Sequence, residues 1–419
     1  MRSRASDRSE SVDGAPDRRA RVGRTLLPLG LLFFAVGIST ALYYPFMSLF
    51  LNSEVGAGPL RITAFLIAAP LSAVLGASLV GRLSDRHPIR RALMVGAAVA
   101  GAIGTGLTAV VRDYWVLLGV AVTAFALAGS LFPQAFAYAR QVLERDDPGR
   151  AAMGISGLRT VFSLAWVAGP PLAAVLLASG GFAWVYGSAA LMYVVAALVA
   201  VFWIEEIAAP THVSAEETAG AGLDAPRWTL WLTASAFTLL QIPLTLAVQA
   251  LPLFIGAELG GEVGDAGLVV GLCAGLEIPL MLGLGALAIR MPVRRLLFLG
   301  GTCGIAYYGL AAMATSLWIL VAGQTLHAMF IAAVSGLGIS YVQDMLPQHP
   351  GRATTLYANT FPLGAMLAGP LFGLAERFGY RLAFWLCAAV CVAGLLLLAA
   401  VPPTPRVEPV ARQRWRARA

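Results

Sequence analysis

The stretch GRLSDRHPIRR, residues 81–91, lies between two long apolar runs, and 204 residues later the chain reads GALAIRMPVRR, residues 285–295. At the same offset, LFLNSEVG at residues 49–56 is matched by LFIGAELG at residues 253–260. Segments that recur at a fixed spacing indicate a duplicated structural unit. The sequence therefore predicts two similar halves that have the same orientation.

The composition indicates a membrane protein. Of the 419 residues, 58% are hydrophobic and only 12% are charged, and the mean hydropathy is +0.77, whereas soluble domains have roughly 45–50% apolar and about 25% charged residues. A helix that crosses a hydrocarbon core of about 30 Å needs about 20 apolar residues. Twelve runs of that kind are present, at residues 25–51, 60–83, 92–111, 114–141, 151–179, 182–204, 228–256, 266–289, 296–315, 317–345, 352–376 and 381–401.

The repeat and the spans together predict the domain organisation. We expect an all-α membrane protein with twelve transmembrane helices in two parallel-related six-helix halves, a symmetry known among membrane proteins. The parts are a disordered cytoplasmic tail at 1–24, the halves at 25–204 and 228–401, a polar cytoplasmic linker at 205–227 and a basic cytoplasmic tail at 402–419.

The positive charge predicts the orientation. All 29 lysine-plus-arginine positions are arginine, and 24 of them fall in the two tails and in the loops on one side of the predicted membrane. The opposite side has only Arg61, Arg112, Arg377 and Arg381. Basic residues near helix ends stay cytoplasmic, so we expect both termini in the cytoplasm and the protein in the inner (plasma) membrane. Contact with anionic lipid headgroups accounts for the net charge of +7 without a nucleic-acid partner.

The loop after the second span carries a family resemblance. Its glycine, its aspartate four residues later and its basic cluster (Gly81, Asp85, Arg86, Arg90 and Arg91) resemble the loop motif of the major facilitator superfamily. The loop departs from that motif at Pro88, where glycine is usual, and by one extra residue before the last two arginines. Within the superfamily the whole chain resembles bacterial sugar efflux transporters, through SLFLNSEVGAGP (48–59), FPQAFAYAR (132–140), SLAWVAGPPLA (163–173), AGLEIPLML (274–282) and YVQDMLPQHPGRATTLYAN (341–359).

The resemblance implies a function. It implies a secondary transporter that exports sugars or glycosides by alternating access, in antiport with protons, and that works as a monomer. A multidrug/proton antiporter of the same fold is the alternative. A polytopic membrane enzyme is a third reading, but it would need clustered carboxylates or a metal site at an interface. The sequence offers no such cluster, so we predict no enzymatic activity, no metal and no cofactor.

Polar side chains at helical spacing in spans 1, 4, 7 and 10 predict a substrate site, because the resemblance implies that these helices line the central cavity. Such groups also act as hydrogen-bonding links between helices, worth about 0.6–2 kcal/mol each, and for single serines and threonines this alternative is favoured. For His327 a neutral histidine bonded to a hydroxyl, a sugar contact and a proton carrier all stay open. The candidate substrate residues are Tyr44, Gln134, Tyr138, Gln241, Gln249, Gln324, His327 and Asn359.

Two opposite charges lie far from the ends of their spans. Arg159 in span 5 and Glu277 in span 8 are about 14–17 Å from the membrane surface at 1.5 Å per residue. A lone charge there costs about 2.5–3.5 kcal/mol even on the milder insertion scale. The resemblance implies that spans 5 and 8 face each other, so we expect an ion pair between the halves. It is either a clamp only, or a clamp in which Glu277 also accepts a proton.

The two copies of the opening stretch differ in one respect. The position of Asp85 in the first copy is occupied by Ile289 in the second. In the resembled superfamily this aspartate and its arginines form a cytoplasmic latch between the halves in the outward-facing state. We therefore predict a latch at the first copy alone, and only helix anchoring by the arginines of the second.

Overall fold

The computed structural model describes residues 15–146, 151–206 and 224–402, and every regular element in these residues is helical. The apolar runs are expected to form long helices, because a backbone group in lipid must find its hydrogen-bond partner within its own helix. Embedding in a membrane therefore follows from the length and the composition of the helices together.

Six helices form the first half. Its fifth and sixth helices are continuous over Ala151–Phe202 except at Gly181, where φ is 68° and ψ is −166°. Glycine adopts a positive φ without steric cost, so the chain turns at this residue. The helices are α1 (Ala15–Tyr43, continued by a 3₁₀ turn Tyr44–Phe46 and by Met47–Ser53), α2 (Pro59–Arg86), α3 (Arg90–Val110), α4 (Tyr114–Val120, the π-helical Ala121–Phe125, Ala126–Ala128 and Leu131–Asp146), α5 (151–180) and α6 (182–202).

Six helices also form the second half, after the linker. They are α7 (Arg227–Glu258), α8 (Val263–Ala288), α9 (Val293–Ala312), α10 (Leu317–Met345), α11 (Pro350–Ala358 and Thr360–Phe378) and α12 (Arg381–Ala400). The helical bounds agree with the predicted spans to within a few residues at most ends. An exception is α1, which begins at Ala15, ten residues before the predicted span.

In the described part of the chain, nine segments are long and apolar enough to cross a membrane. One of the nine, Met153–Phe202, contains both α5 and α6. The remaining two, α9 and α11, complete the second half by their place in the chain. Twelve membrane crossings therefore remain the prediction of the sequence and the repeat.

The helix ends define two ends of the molecule. The arginine-rich end contains the loops at 87–89, 289–292 and 346–349, and the arginine-poor end contains those at 54–58, 111–113, 259–262 and 313–316. At the arginine-rich end, the last residues of the linker are fixed to the loop after α10. Ala225 N–H donates to the Met345 carbonyl at 2.9 Å, and Asp224 Oδ2 lies 2.5 Å from His349 Nδ1. The predicted linker otherwise lies mostly at 207–223, outside the described residues, as do 1–14 and 403–419 of the predicted tails.

The two halves pack together through the helix pairs α2–α11, α5–α8 and α1–α7. Glycines allow the close approach, as small residues do between membrane helices. A Cβ atom on Gly267 of α8 would lie 2.5 Å from the Pro170 carbonyl oxygen of α5, and one on Gly373 of α11 would lie 2.1 Å from Thr63 Oγ1 of α2. All four residues belong to the part of their helix nearer the arginine-poor end. These contacts close that end.

Candidate functional site

A cavity of about 320 Å³ lies between the halves, within the usual size range of small-molecule sites, roughly 300–1,000 Å³. Side chains from both halves surround it, and many of them are aromatic. Its lining consists of Tyr44, Phe162, Ser163, Trp166, Leu244, Ala247, Val248, Leu251, Val269, Val270, Cys273, Ala274, Glu277, Tyr307, Gln324, His327, Ile331, Ser335, Phe361 and Phe384.

The first half contributes one aromatic wall. Tyr44 belongs to the 3₁₀ turn that interrupts α1, and its ring meets the Trp166 ring of α5 edge to face, with 6.3 Å between centroids. Phe162 and Ser163 lie one turn before Trp166 on the same face of α5. The wall therefore combines flat apolar surfaces with a hydroxyl group.

The second half contributes a polar network on α9 and α10. Gln324 Nε2 donates to the Tyr307 hydroxyl at 3.0 Å, and the His327 ring stacks on the Tyr307 ring, 4.2 Å between centroids. His327 Nε2 lies 3.2 Å from the Tyr308 hydroxyl, and its Nδ1 lies 3.4 Å from Cys273 Sγ. Of the three alternatives for His327, this geometry corresponds to a neutral, buried histidine that is bonded to a hydroxyl.

Glu277 lines the cavity from α8, and Arg159 lies on α5 one helical turn before Ser163. The arginine acts electrostatically on both the Glu277 carboxylate and the Tyr357 hydroxyl of the second half. Among the salt bridges within the described residues there is none between Arg159 and Glu277. The two charges are thus neighbours across the halves, but they are not in contact in this conformation.

The predicted residues of α4 lie elsewhere. Gln134 is buried, and its Oε1 has no donor within the described residues. Tyr138 packs in the hydrophobic core of the first half. Neither belongs to the cavity lining, because the polar face of α4 is turned toward its own half. Of the four predicted cavity helices, α1, α7 and α10 line the cavity and α4 does not. Helices α5 and α8 also contribute to the lining.

Two more predicted contacts, Gln241 and Gln249 of α7, are engaged in helix interfaces. Gln241 Nε2 lies 3.4 Å from the Tyr357 hydroxyl, which itself donates to the Val334 carbonyl at 2.5 Å. Gln249 bonds to the backbone of α1. Asn359 is exposed at the junction between the two segments of α11. A sugar contact by Gln249 would require its bonds to break, whereas Gln241 Oε1 has no donor within the described residues.

The arginines of the loop motif hold the first half together. Arg90 Nη1 donates to Gln141 Oε1 of α4 at 2.7 Å. The Arg91 N–H donates to Glu206 Oε1 at 3.1 Å, and its guanidinium donates to the Val201 carbonyl of α6. Gly81 and Arg86 lie at the end of α2, where Arg86 is exposed. The side chain of Asp85 lies outside the described part of the structure, so the predicted latch stays a prediction.

Several lining residues were missing from the predicted site, namely Phe162, Ser163, Trp166, Tyr307 and Phe361. Apolar and aromatic residues in a membrane helix look the same whether they face lipid, protein or a cavity. The one available signal was SLAWVAGPPLA, where a tryptophan and a serine precede two prolines.

Comparison with known proteins identifies the family. The model of the Major Facilitator Superfamily matches residues 29–310 and 233–418, which together include most of the chain. The chain belongs to the Major Facilitator Superfamily. The resemblance seen in the loop motif and in the repeat is thereby confirmed, and so is the all-α membrane fold.

Curated relatives and solved structures agree with this assignment. The chain is 36% identical over 384 residues to a putative sugar efflux transporter of Deinococcus radiodurans, covering 90% of this chain and 98% of the relative. It is 33% identical to sugar efflux transporter A of Escherichia coli, covering 88% and 94%. The nucleoside transporter NupG superposes with a TM-score of 0.70 at 14% identity, covering 90% and 98%, and a bacterial homologue of the lysosomal transporter Spinster, inward-facing and occupied, with 0.71 at 14%, covering 93% and 96%. These two structures support the fold alone.

Proposed function

We propose that this protein is a secondary active transporter that exports sugars or glycosides by alternating access, in exchange for protons. The observation that carries the proposal is the cavity between the halves, which the helix contacts close at the arginine-poor end. The names of the curated relatives favour sugars as the substrate class.

The lining chemistry suits a sugar. Aromatic rings such as Tyr44 and Trp166 offer flat surfaces to the apolar face of a sugar ring, and Ser163 offers a hydroxyl group that can bond to the hydroxyls of the sugar. Binding pockets generally combine mostly apolar walls with a few placed polar groups that fix orientation. The Glu277 carboxylate lies in the same cavity. It can accept hydrogen bonds from sugar hydroxyls, and it can accept a proton.

The orientation belongs to the proposal as well. With the arginine-rich end in the cytoplasm of the cell and the protein in the inner membrane, the structure has its external end closed. Export then requires the halves to rock so that α5 and α8 approach at their cytoplasmic ends. The unit that transports is the monomer, with a cytoplasmic linker at 205–227 between the halves 25–204 and 228–401.

Counterflow in proteoliposomes tests the substrate class. Purified protein is reconstituted with an unlabelled sugar inside, and uptake of radiolabelled sugars and glycosides is followed across a panel. A transient accumulation of at least one labelled sugar is expected. If no sugar accumulates, although lipophilic cations are exchanged by the same vesicles, then sugar export is the wrong reading.

Replacing Trp166 by alanine is expected to weaken sugar affinity about tenfold. A ring face of about 50 Å² at about 25 cal/mol per Å² gives roughly 1.3 kcal/mol, and 1.4 kcal/mol is a factor of ten. Trp184→Ala is the matched control, because Trp184 of α6 is exposed and lies outside the cavity lining. Intrinsic tryptophan fluorescence or a scintillation proximity assay gives the dissociation constants. Equal affinities of the two variants would remove Trp166 from the sugar site.

One observation favours the alternative of a multidrug/proton antiporter. Glu277 is a carboxylate within a largely apolar, aromatic cavity, and a lipophilic cation is attracted both to a carboxylate and to aromatic faces. Competition binding separates the two candidates. Sugar export predicts that glycosides displace a labelled sugar and that ethidium-like cations do not, whereas mutual displacement among cations without sugar competition would favour drug export.

The latch at the first loop copy gives a separate prediction. Asp85→Asn is expected to favour the conformation with an open arginine-rich end, because it removes the charge that would pair with arginines when that end closes. Ile289→Asn, at the equivalent place in the second copy, is expected to have little effect because no carboxylate is lost there. Alkylation of single cysteines from each side of the membrane measures the balance. Equal shifts in the two variants would contradict the asymmetry.

A further inference from the structure

The break in α1 is bound by one side chain of the other half. The helix changes to a 3₁₀ turn at Tyr44–Phe46, where Phe46 has φ −105° and ψ 5°, and resumes at Met47. Gln249 of α7 lies against this break. Its Nε2 donates to the Tyr44 carbonyl at 2.8 Å, and its Oε1 accepts from the Ser48 N–H at 3.2 Å.

The two groups that Gln249 binds are a matched pair. In an uninterrupted α-helix the N–H of one residue donates to the carbonyl four residues earlier, so Ser48 would donate to Tyr44. The side-chain amide of Gln249 thus offers each group the partner that the helix itself would otherwise provide. The contact also runs in reverse, because Ser48 Oγ donates to the Gln249 backbone carbonyl at 2.5 Å.

The site is buried and lies between the halves. Gln249 and Ser48 are both buried, with exposures of 1% and 0%. The Tyr44 carbonyl also accepts from the Met47 N–H within the 3₁₀ turn, so only the Ser48 N–H depends on Gln249. A buried backbone group left without a partner is costly, so the interface can separate only if the Ser48 N–H finds another acceptor. The Tyr44 carbonyl, four residues earlier in α1, is that acceptor.

We propose that Gln249 is a positioning residue that closes the arginine-poor end of the transporter by replacing one main-chain hydrogen bond of α1. When the halves separate at this end, the Ser48 N–H donates to the Tyr44 carbonyl and α1 gains the main-chain hydrogen bond that Gln249 had replaced. The exchange gives the Ser48 N–H a partner in both states, so the gate opens without leaving this backbone group unpaired. Because Tyr44 lines the cavity, the same exchange moves a cavity wall when the gate moves.

The test is a distance measurement without substrate, so its outcome does not depend on the identity of the sugar. Spin labels are attached at Leu60→Cys and Met313→Cys, two exposed positions near the arginine-poor end in opposite halves, in a Cys303→Ser background because the other cysteines are buried. Pulsed electron resonance then gives the distribution between closed and open. Gln249→Leu keeps the approximate size of the side chain and removes the amide.

Gln249→Leu is expected to shift the closed-to-open ratio toward open by about tenfold, which corresponds to about 1.4 kcal/mol. The control is Gln241→Leu, two turns away on α7, whose amide contacts a tyrosine of its own half; it is expected to leave the ratio unchanged. If Gln249→Leu leaves the distances unchanged, or if both variants shift them equally, the proposal is overturned.

Hydrogen exchange adds a readout that a mere packing defect would not reproduce. If the Ser48 N–H donates to the Tyr44 carbonyl, the Ser48 amide stays protected from hydrogen exchange in Gln249→Leu although the gate opens. Faster hydrogen exchange at Ser48 would show an unpaired amide and would overturn the proposed change of hydrogen-bond partner. Should Gln249→Leu fail to fold, Ser48→Ala removes only the hydroxyl contact and is expected to shift the distances in the same direction by a smaller factor. An unshifted distribution in Ser48→Ala would then count against the proposal.

Discussion

Glu277→Arg is expected to abolish transport, and the double variant Glu277→Arg with Arg159→Glu is expected to recover part of it. Removing one partner of a buried ion pair costs about 3–5 kcal/mol because the other charge is left uncompensated. At 1.4 kcal/mol per factor of ten, this corresponds to a loss of about 150-fold or more in the conformation that contains the pair. The swap restores opposite charges at the same two places.

The geometry indicates when the pair forms. Helices α5 and α8 touch where Gly271 meets Pro171 and where Gly275 meets Val167. Arg159 and Glu277 lie beyond these contacts on the side of the arginine-rich end, where they interact electrostatically without a salt bridge. Rocking that closes the arginine-rich end would bring the two helices together there. We therefore expect the salt bridge between Arg159 and Glu277 to form in the conformation in which the arginine-rich end is closed.

Counterflow in proteoliposomes measures the effect, with size-exclusion profiles to confirm folding. Glu277→Gln keeps the shape of the side chain and loses its charge, so it tests proton coupling. It leaves Arg159 uncompensated and is therefore expected to slow sugar exchange without a pH gradient, and a pH gradient is expected not to accelerate the exchange that remains. If Glu277→Arg and the swapped double variant are equally inactive, although both fold, the pairing is not supported.

The sequence predicted the fold well because the decisive feature, a run of about 20 apolar residues, is local. The same holds for the boundary between α5 and α6, which the chain makes at Gly181. The repeat gave the two halves, because duplicated segments preserve spacing even where their residues differ. Only the start of α1 departs notably, since its helix continues to Ala15 through polar sequence that hydropathy does not mark.

The site was less predictable, for a physical reason. Helical periodicity shows which side chains share a face, but not what that face contacts. Gln134 and Tyr138 share a polar face of α4, and that face packs inside the first half. Trp166 was hidden among apolar residues of α5 and lines the cavity. Polarity in a membrane helix thus does not distinguish a face toward a substrate from a face toward another helix.

The gate at the arginine-poor end shows the same limit. Gln249 is predicted as a sugar contact because it lies on a polar stripe at helical spacing in span 7, and a hydrogen-bonding link between helices is the alternative. In the structure its amide binds the backbone of α1. This partner depends on a 3₁₀ turn that the sequence signals only through Pro45.

Gly267→Leu is expected to hold the arginine-poor end open and to reduce transport by about 5- to 150-fold. A Cβ on Gly267 would lie 2.5 Å from the Pro170 carbonyl oxygen and 2.9 Å from Ala174 Cβ. The first of these is a backbone atom, which cannot rotate away as a flexible side chain could. Inserting carbon atoms into a packed interface costs about 1–3 kcal/mol, and at 1.4 kcal/mol per factor of ten this gives the range stated.

Because the clash lies between the halves rather than within one, the two helical bundles are expected to stay folded and to separate at this end. Gly283→Leu is the matched control on the same helix, since a Cβ there meets nothing within 4 Å. The native Cys273 also lines the cavity, so all variants carry Cys273→Ser and Cys303→Ser. Ser163→Cys in this background reports the state through its reaction with a membrane-impermeant maleimide applied at the arginine-poor side. Labelling is expected to be fast in Gly267→Leu and slow in Gly283→Leu and in the unsubstituted protein. Slow labelling in Gly267→Leu would mean that α5 and α8 accommodate the added side chain, and that their close approach is not what seals the cavity.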